Sequence, residues 1–327
     1  MILSIIVPIY NVQDYLKTCI DSLFNQDLLI SDYEVIAVND GSTDASLAIL
    51  ESLKKTYNSI NIITQNNQGL SGARNTGIKH AIGTYILFVD SDDYILKNTL
   101  KLITTLAQQN ELDILEFAAE GVSETKQTVY TSKNSTKNKV ITGEQYLANI
   151  QYMSSACNKL YKREFLNNNQ LRFMEGVYIE DIEFNTRAVF KAKRIQAIDT
   201  TIAHFLQREG SITRTKNFDK TKKMIYDIHK VLSSIDHFNE TVITSKSVAY
   251  LSVKKRTCAL VVTMLLRVLI GIKDYNIKKD IFNKLKEQNL YPIPYKTGNA
   301  KKNQFRRFAN QNLLFSMVCK LYCIKNR

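Results

Sequence analysis

The feature that most constrains this chain is an alternation of strand-like and helix-like segments. Over about the first 120 residues, short apolar runs rich in β-branched residues take turns with segments of helical period. Residues 3–8 read as a buried strand, and residues 14–25 as a helix with apolar positions Tyr15, Leu16, Cys19, Ile20, Leu23 and Phe24 at helical period. Strands over 34–38, 61–64, 85–89 and 113–118 follow, separated by helices over 45–57, 72–81 and 97–109. This alternation predicts parallel βαβ units, an α/β fold with a doubly wound, mostly parallel sheet flanked by helices. Ligands of such sheets bind at the carboxyl ends of the strands. Three of those ends are polar here: Pro8-Ile9-Tyr10-Asn11, Asn39-Asp40-Gly41-Ser42 and Asp90-Ser91-Asp92-Asp93.

The rest of the chain is less regular. Residues 121–142 are rich in Ser, Thr, Lys and Asn and read as a loop. Helices over 144–150 and 181–191 and a strand over 194–205 come next, and beyond 216 the pattern is helical and lysine-rich. The whole-chain net charge of +13 is unevenly placed. Residues 217–327 hold 22 Lys+Arg against 7 Asp+Glu, a net of +15, which leaves −2 for residues 1–216. A basic region of this kind wants a polyanionic partner such as an anionic membrane surface, or is simply a solvated helical region. Projecting residues 301–322 onto a single helix does not separate charged from apolar positions. Aromatic residues interleave with Lys301, Lys302, Arg306 and Arg307, but no nucleic-acid-binding motif accompanies them, so no nucleic acid is expected as a partner.

Five scattered cysteines form no paired CxxC, which argues for reduced thiols and against a disulfide framework or a zinc site. The first ten residues lack the basic start of a signal peptide, and no uninterrupted apolar run reaches membrane-spanning length. The expected location is cytoplasmic, peripheral at the inner face of the plasma membrane.

Three stretches carry chemistry. Two carboxylates one residue apart at a strand end, Asp90 and Asp92, offer hard oxygen ligands suited to Mn²⁺ or Mg²⁺, or else a turn and cap for the next helix. Asp40 can accept the imide N–H of a uracil ring, or close its strand as an Asx-turn; Asp44 fits a helix cap. Residues 68–75 form a Gly-containing turn into a helix whose free N–H groups, with the Arg74 fork, would suit an anion. The stretch is neither a Walker loop nor a dinucleotide fingerprint.

In order and spacing, "SIIVPIYN", "EVIAVNDGSTD", "NQGLSGARNTGI" and "GTYILFVDSDD" resemble the family-2 glycosyltransferases, the large inverting group of GT-A fold. The resemblance extends through "GVYIEDIEFNTRAVF" to Gln207-Arg208-Glu209-Gly210-Ser211-Ile212-Thr213, about residues 1–214. It implies a GT-A domain over 1–215, with a nucleotide-binding half (1–93) and an acceptor and catalytic-base half (94–215); the basic helical region over 216–327, read from charge and pattern, lies outside the resemblance. It implies that Pro8, Tyr10 and Asn11 border the nucleoside, that Asp40 holds the uracil, and that Arg74 lies near base or phosphate. Asp90 and Ser91 would face the ribose side and Asp92 would ligate the metal. Asp181 would be the general base, with Glu180 orienting it or facing solvent. Arg208 and Ser211 would close over the pyrophosphate. His204 would add a metal or phosphate contact, or be a packed strand residue.

The implied reaction is inverting transfer of a sugar from a UDP-sugar to a hydroxyl of a glycan or a lipid-linked saccharide, as in capsule, exopolysaccharide or other cell-surface glycan synthesis. A hydroxyl is a poor nucleophile, so a carboxylate that takes its proton is worth roughly 10²–10⁴-fold. A sugar nucleotidyltransferase is the alternative on a similar sheet. It would call for a Gly-rich basic loop near the N-terminus, which residues 1–26 lack.

Overall fold

In the computed structural model, which describes residues 1–208 and 217–325, the run LSIIVPI forms β1 (Leu3–Ile9) and is buried along its whole length. A strand covered on both faces by helices needs a continuous apolar run of this sort. α1 (Gln13–Phe24) returns the chain to β2 (Tyr33–Asn39), and α2 (Ser46–Thr56) leads to β3 (Ile60–Thr64). α3 (Gly69–His80) then leads to β4 (Tyr85–Phe88). β3, β2, β1 and β4 lie side by side and parallel. Their carboxyl ends therefore share one edge, as the alternation predicts.

Past β4 the sheet becomes mixed. The two-residue β5 (Tyr94–Ile95), α4 (Leu100–Gln109), β6 (Ile114–Val122) and β7 (Thr128–Ser132) come next. They are followed by α5 (Gly143–Asn149), β8 (Lys159–Lys162), α6 (Arg163–Asn168), α7 (Glu180–Lys191) and β9 (Ile195–Leu206). The strand order is β3-β2-β1-β4-β8-β6-β9-β5, with β7 on the far side of β6. β8 runs antiparallel to both of its neighbours, and β5 and β7 are also antiparallel to theirs. β6 and β9 pair in parallel.

Three departures from the sequence reading have physical causes. The loop expected over 121–142 contains β7, whose residues are almost all exposed, so the strand carries no apolar face to betray it. β8 lacks the apolar signature of a strand because its four residues begin and end on lysine, the first of them buried. Lys159 is buried, donates to the carbonyls of Met153 and Ser155 and to Asn158 Oδ1, and lies 3.3 Å from Glu116. α3 begins at Gly69, three residues before the position expected, because Gly69 takes φ +76° and turns the chain early.

The chain divides into two compact units. The first comprises Met1–Gly176 and Glu180–Arg208 and holds the sheet; the second comprises Val177–Ile179 and the described residues from 217 onward. The boundary expected at 215/216 lies outside the described residues. The second unit consists of α8 (Phe218–Thr241), α9 (Val248–Gly271), α10 (Tyr275–Glu287), α11 (Ala300–Ala309) and α12 (Asn312–Lys325). Asn217, Ser247, Asp274 and Asn299 cap the first four of these helices with side-chain oxygens. Ile225, Leu232, Val262, Leu265, Ile281 and Phe315 belong to the core of this unit. Residues 301–322, projected above as one helix, are two helices. Among the described residues, no helix is long and apolar enough to cross a membrane.

Candidate active site

The three polar strand ends do meet on one edge of the first unit. At the end of β2 the two neighbouring side chains divide their tasks. Asn39 Oδ1 accepts from the Ser42 N–H and makes the Asx-turn. Asp40 is thereby released from that task. Its Oδ1 accepts from Gln65 Nε2 at 2.7 Å and from the Gln68 N–H at 2.8 Å. Gln65 is itself fixed by the Thr76 hydroxyl at 2.6 Å. Among the described residues Asp40 Oδ2 has no donor, so this oriented carboxylate keeps one acceptor oxygen. Asp44 orders the turn, with Oδ1 accepting from the Ser46 N–H and Oδ2 from the Gln13 N–H at the start of α1. At the end of β1, Pro8 is buried, Tyr10 is exposed, and Asn11 takes φ +51° while its Oδ1 holds the Thr43 N–H.

The centre of the site is a single arginine. α3 packs so closely on β1 that a Cβ at Gly77 would lie 2.3 Å from Ile6 Cγ2. One turn earlier on the same buried face is Arg74, only 1% exposed. Its Nη1 donates to Glu180 Oε1 and Asp181 Oδ1, and its Nη2 to Asp90 Oδ1, each at 2.7 Å. Nη2 also lies 3.7 Å from Cys157 Sγ, and the guanidinium stands 5.2 Å from the Phe173 ring centre. Burial opposes the charge, but Asp181 and Asp90 hold the guanidinium firmly protonated. Arg74, expected near base or phosphate, gives both terminal nitrogens to these carboxylates. The residue sits beneath the site and ties the Asp-x-Asp turn to the start of α7.

The other two partners come from that start. Ile179, just before it, holds φ +61°, an outlier for a β-branched residue. Burial, and after it Asp181, raise Glu180 to about 7 against the pull of Arg74. Burial likewise lifts the Asp181 carboxyl above the usual carboxylate range; Arg74 counters the rise and Asp90 adds to it. Asp181 is partly exposed, and its Oδ2 accepts from the Ala156 N–H at 3.1 Å. Both oxygens are oriented, so the carboxylate presents one fixed geometry.

Asp92 and Asp93 divide in a similar way. Asp93 Oδ1 accepts from the Leu206 N–H at 2.8 Å and ties the turn to the end of β9, while Ser91 is buried. Asp92 is partly exposed and pairs with Arg208 Nε at 2.7 Å. Arg208 in turn lies 4.9 Å from the Tyr15 ring centre. Burial and then Asp90 raise Asp92, and burial with Asp90 and Asp92 raises Asp93 well above its ordinary value. This crowding of acids is what a cation would relieve.

Mn²⁺ and Mg²⁺ bind through one or two carboxylates and take the remaining ligands from water and phosphate. Asp92 fits that demand. The His204 Nδ1 is 3.1 Å from the Tyr94 hydroxyl and its Nε2 3.5 Å from Glu120, and burial lowers its pKa. Among the described residues no group of three or more His, Cys, Asp or Glu side chains is placed to hold a metal. Ser211 lies outside the described residues. Gln65 is the site group that the sequence left unassigned, and only its partners in space, Asp40 and Thr76, identify it.

A mixed sheet with acidic strand ends on one edge, closed by an acidic helix start and flanked by helices, is a GT-A fold. The model of Glycosyl transferase family 2 matches residues 4–169, and the chain belongs to that family. Its first unit is a glycosyltransferase domain. The uncharacterized glycosyltransferase EpsJ of Bacillus subtilis (strain 168) is 38% identical over 219 residues, covering 65% of this chain and 63% of its own. The poly(ribitol-phosphate) beta-glucosyltransferase of Bacillus spizizenii is 35% identical over 216 residues, 64% of this chain and 33% of its own. The chain thus spans under two thirds of the length of both. The crystal structure of S. aureus TarS 1-349 in complex with UDP-GlcNAc superposes with TM-score 0.59 at 21% identity. It covers 96% of this chain and 91% of that one, a likeness of fold.

Proposed function

We propose that this protein transfers a sugar, with inversion, from a UDP-sugar to a hydroxyl of a saccharide, and that Asp181 is the general base. The observation that carries the reading is the Arg74 bridge. It fixes the carboxylate at the start of α7 against the Asp-x-Asp turn at the end of β4. A base must be rigidly aimed, and its affinity for a proton must approach the working pH. Asp181 is held at each oxygen, and burial raises its affinity for a proton above that of an ordinary aspartate.

The remaining residues act around that base. Asp40 Oδ2 accepts the imide N–H of uracil, and Tyr10 and Asn11 border the nucleoside beside Pro8. Asp90, with Ser91 beneath the turn, faces the ribose side. Arg208 supplies positive charge for the pyrophosphate, joined by Ser211. Asp92 is the residue that would hold Mn²⁺ or Mg²⁺. When bound there, the cation would stabilise the charge gained by the leaving diphosphate, as a Lewis acid does. The acceptor belongs to a cell-surface glycan, free or lipid-linked. The supporting likeness is to an enzyme named for glucosylating poly(ribitol phosphate).

The test is Asp181→Asn, assayed with a panel of UDP-sugars and Mn²⁺. Transfer should fall by roughly 10²–10⁴-fold while UDP binding measured by calorimetry stays intact. Near-normal turnover by the variant would remove Asp181 from the role of base.

A further inference from the structure

The second unit carries a surface that the donor site leaves unused. α12 has two apolar sides, with Asn312, Ser316 and Lys320 between them on one flank. Phe315, Cys319 and Cys323 on one side are buried. On the other, Leu313, Leu314, Met317, Leu321 and Ile324 are exposed, Leu313 at 82% and Met317 and Leu321 each at 61%. At about 100° per residue these five fall within a single stripe about 100° wide. A contiguous apolar stripe of this kind, facing outward, marks an interaction surface.

Beside the stripe, α10 and α12 enclose a cavity of about 180 Å³. Lys278, Lys279 and Lys286 line it together with Tyr275 and Phe282, and no acidic residue does. Tyr275 Oη and Ser316 Oγ, 2.8 Å apart, join the two helices across it. Lys278 is buried to 1% exposure. Its Nζ donates to the Leu269 carbonyl at 2.8 Å and lies 4.9 Å from the Tyr322 ring centre. Among the described residues no carboxylate pairs with it. A buried ammonium without a counter-charge is costly, and an anion in the cavity would supply that charge. Leu313 links the two features, because it lines the cavity and begins the stripe. The combination is a cationic cleft continuous with an apolar ridge, inside a region of net charge +15.

We infer that this face docks on a bilayer containing anionic phospholipid. A headgroup phosphate enters the α10–α12 cleft, and the α12 stripe lies in the acyl boundary, parallel to the membrane plane. This is the chemistry of an interfacial helix, in which buried apolar area and electrostatic attraction act together. It also explains why one chain carries a near-neutral first half and a basic second part.

The experiment is co-sedimentation of the full chain with vesicles of phosphatidylcholine alone, and with vesicles of phosphatidylcholine and phosphatidylglycerol in equal parts. Binding is expected to the mixed vesicles, weakly or not at all to phosphatidylcholine, and to fall as salt rises. Each basic residue near anionic lipid is worth roughly fivefold in partition. Lys279→Glu with Lys286→Glu should therefore cut partition by roughly tenfold or more. Leu313→Asp with Leu321→Asp should do the same, and all four positions are exposed, so the fold is expected to survive. No vesicle binding, equal binding to both vesicle types, or variants that bind like the parent would each overturn the proposal. Two further outcomes would also overturn it. A concentration-dependent dimer lost in the leucine variant would assign the stripe to a second copy of the chain. Binding of inorganic phosphate that needs Lys279 and Lys286, without vesicle binding, would assign the cleft to a free anion.

Discussion

Arg74 has to be understood together with three carboxylates, none of which is its neighbour in sequence. Asp90, Glu180 and Asp181 converge on one guanidinium in a nearly dry setting. Removing the cation leaves buried charges uncompensated, which typically costs about 3–5 kcal/mol. Arg74→Met should therefore lose stability of that order in urea unfolding. Arg74→Lys should keep the charge but not the fork, recover part of the stability, and still transfer sugar slowly. Glu180 adds a dependence on pH. Its pKa in the folded chain is about 7, above the ordinary 4.5. A raised pKa means that the folded state binds the proton more tightly than the unfolded state. The associated stability is therefore complete below about pH 4.5 and is lost as pH rises through about 7. Melting curves between pH 5 and pH 8 should show a smaller decline for Glu180→Gln than for the parent. An identical decline would mean that Glu180 is an ordinary carboxylate. Much at this scale was readable in advance. The Asp-x-Asp turn, Asp40 and the Glu-Asp pair stand out as strings. The task of Arg74 does not, because a Gly-containing turn into a helix reads as an anion site until the helix face is known. That face is set by packing, and Arg74 lies on the side turned to the sheet.

At the scale of elements, the closeness of α3 to β1 decides where the Arg74 cluster sits. Gly77 permits it, since any side chain there meets Ile6. Gly77→Ala should overpack this contact and cost about 1–3 kcal/mol. Adding Ile6→Ala should recover part of that loss, because the two sites share the contact. Denaturant midpoints of the two single variants and the double variant would measure the coupling, and strict additivity would contradict this account. The parallel strands were legible because burial on both faces forces continuous apolar runs. β7 and β8 were not. One is an exposed strand with no apolar face, and the other buries a lysine satisfied by three oxygens contributed by Met153, Ser155 and Asn158. Hydrophobic pattern reports burial of apolar atoms, and it is silent where burial is achieved by hydrogen bonding. A similar loss of signal affected the C-terminal helices. α11 and α12 restart their angular phase across Asn310 and Gln311, so a single projection through both mixes their faces.

For the whole molecule, ligand binding should appear as stability. A ligand that binds only the folded state at 100 times its Kd adds about 2.7 kcal/mol. UDP with Mn²⁺ should therefore raise the melting temperature, and EDTA should remove part of the rise. Asp92→Asn should abolish the Mn²⁺-dependent part and keep the part due to UDP alone. A variant that responds to Mn²⁺ like the parent would move the cation elsewhere. Composition already divided the chain into a near-neutral stretch and a basic one, and the structure finds two compact units.

The shared guanidinium has a further consequence, for how a sequence of this kind can change. Positions 74, 90, 180 and 181 are bound to a common charge balance, and even Arg74→Lys, which keeps the charge, gives up the fork that reaches all three acids. Loss of the arginine strands three acids, and loss of any acid leaves the cation short of a partner. An exchange that removes the charge on one side of this cluster is balanced only by a matching loss on the other.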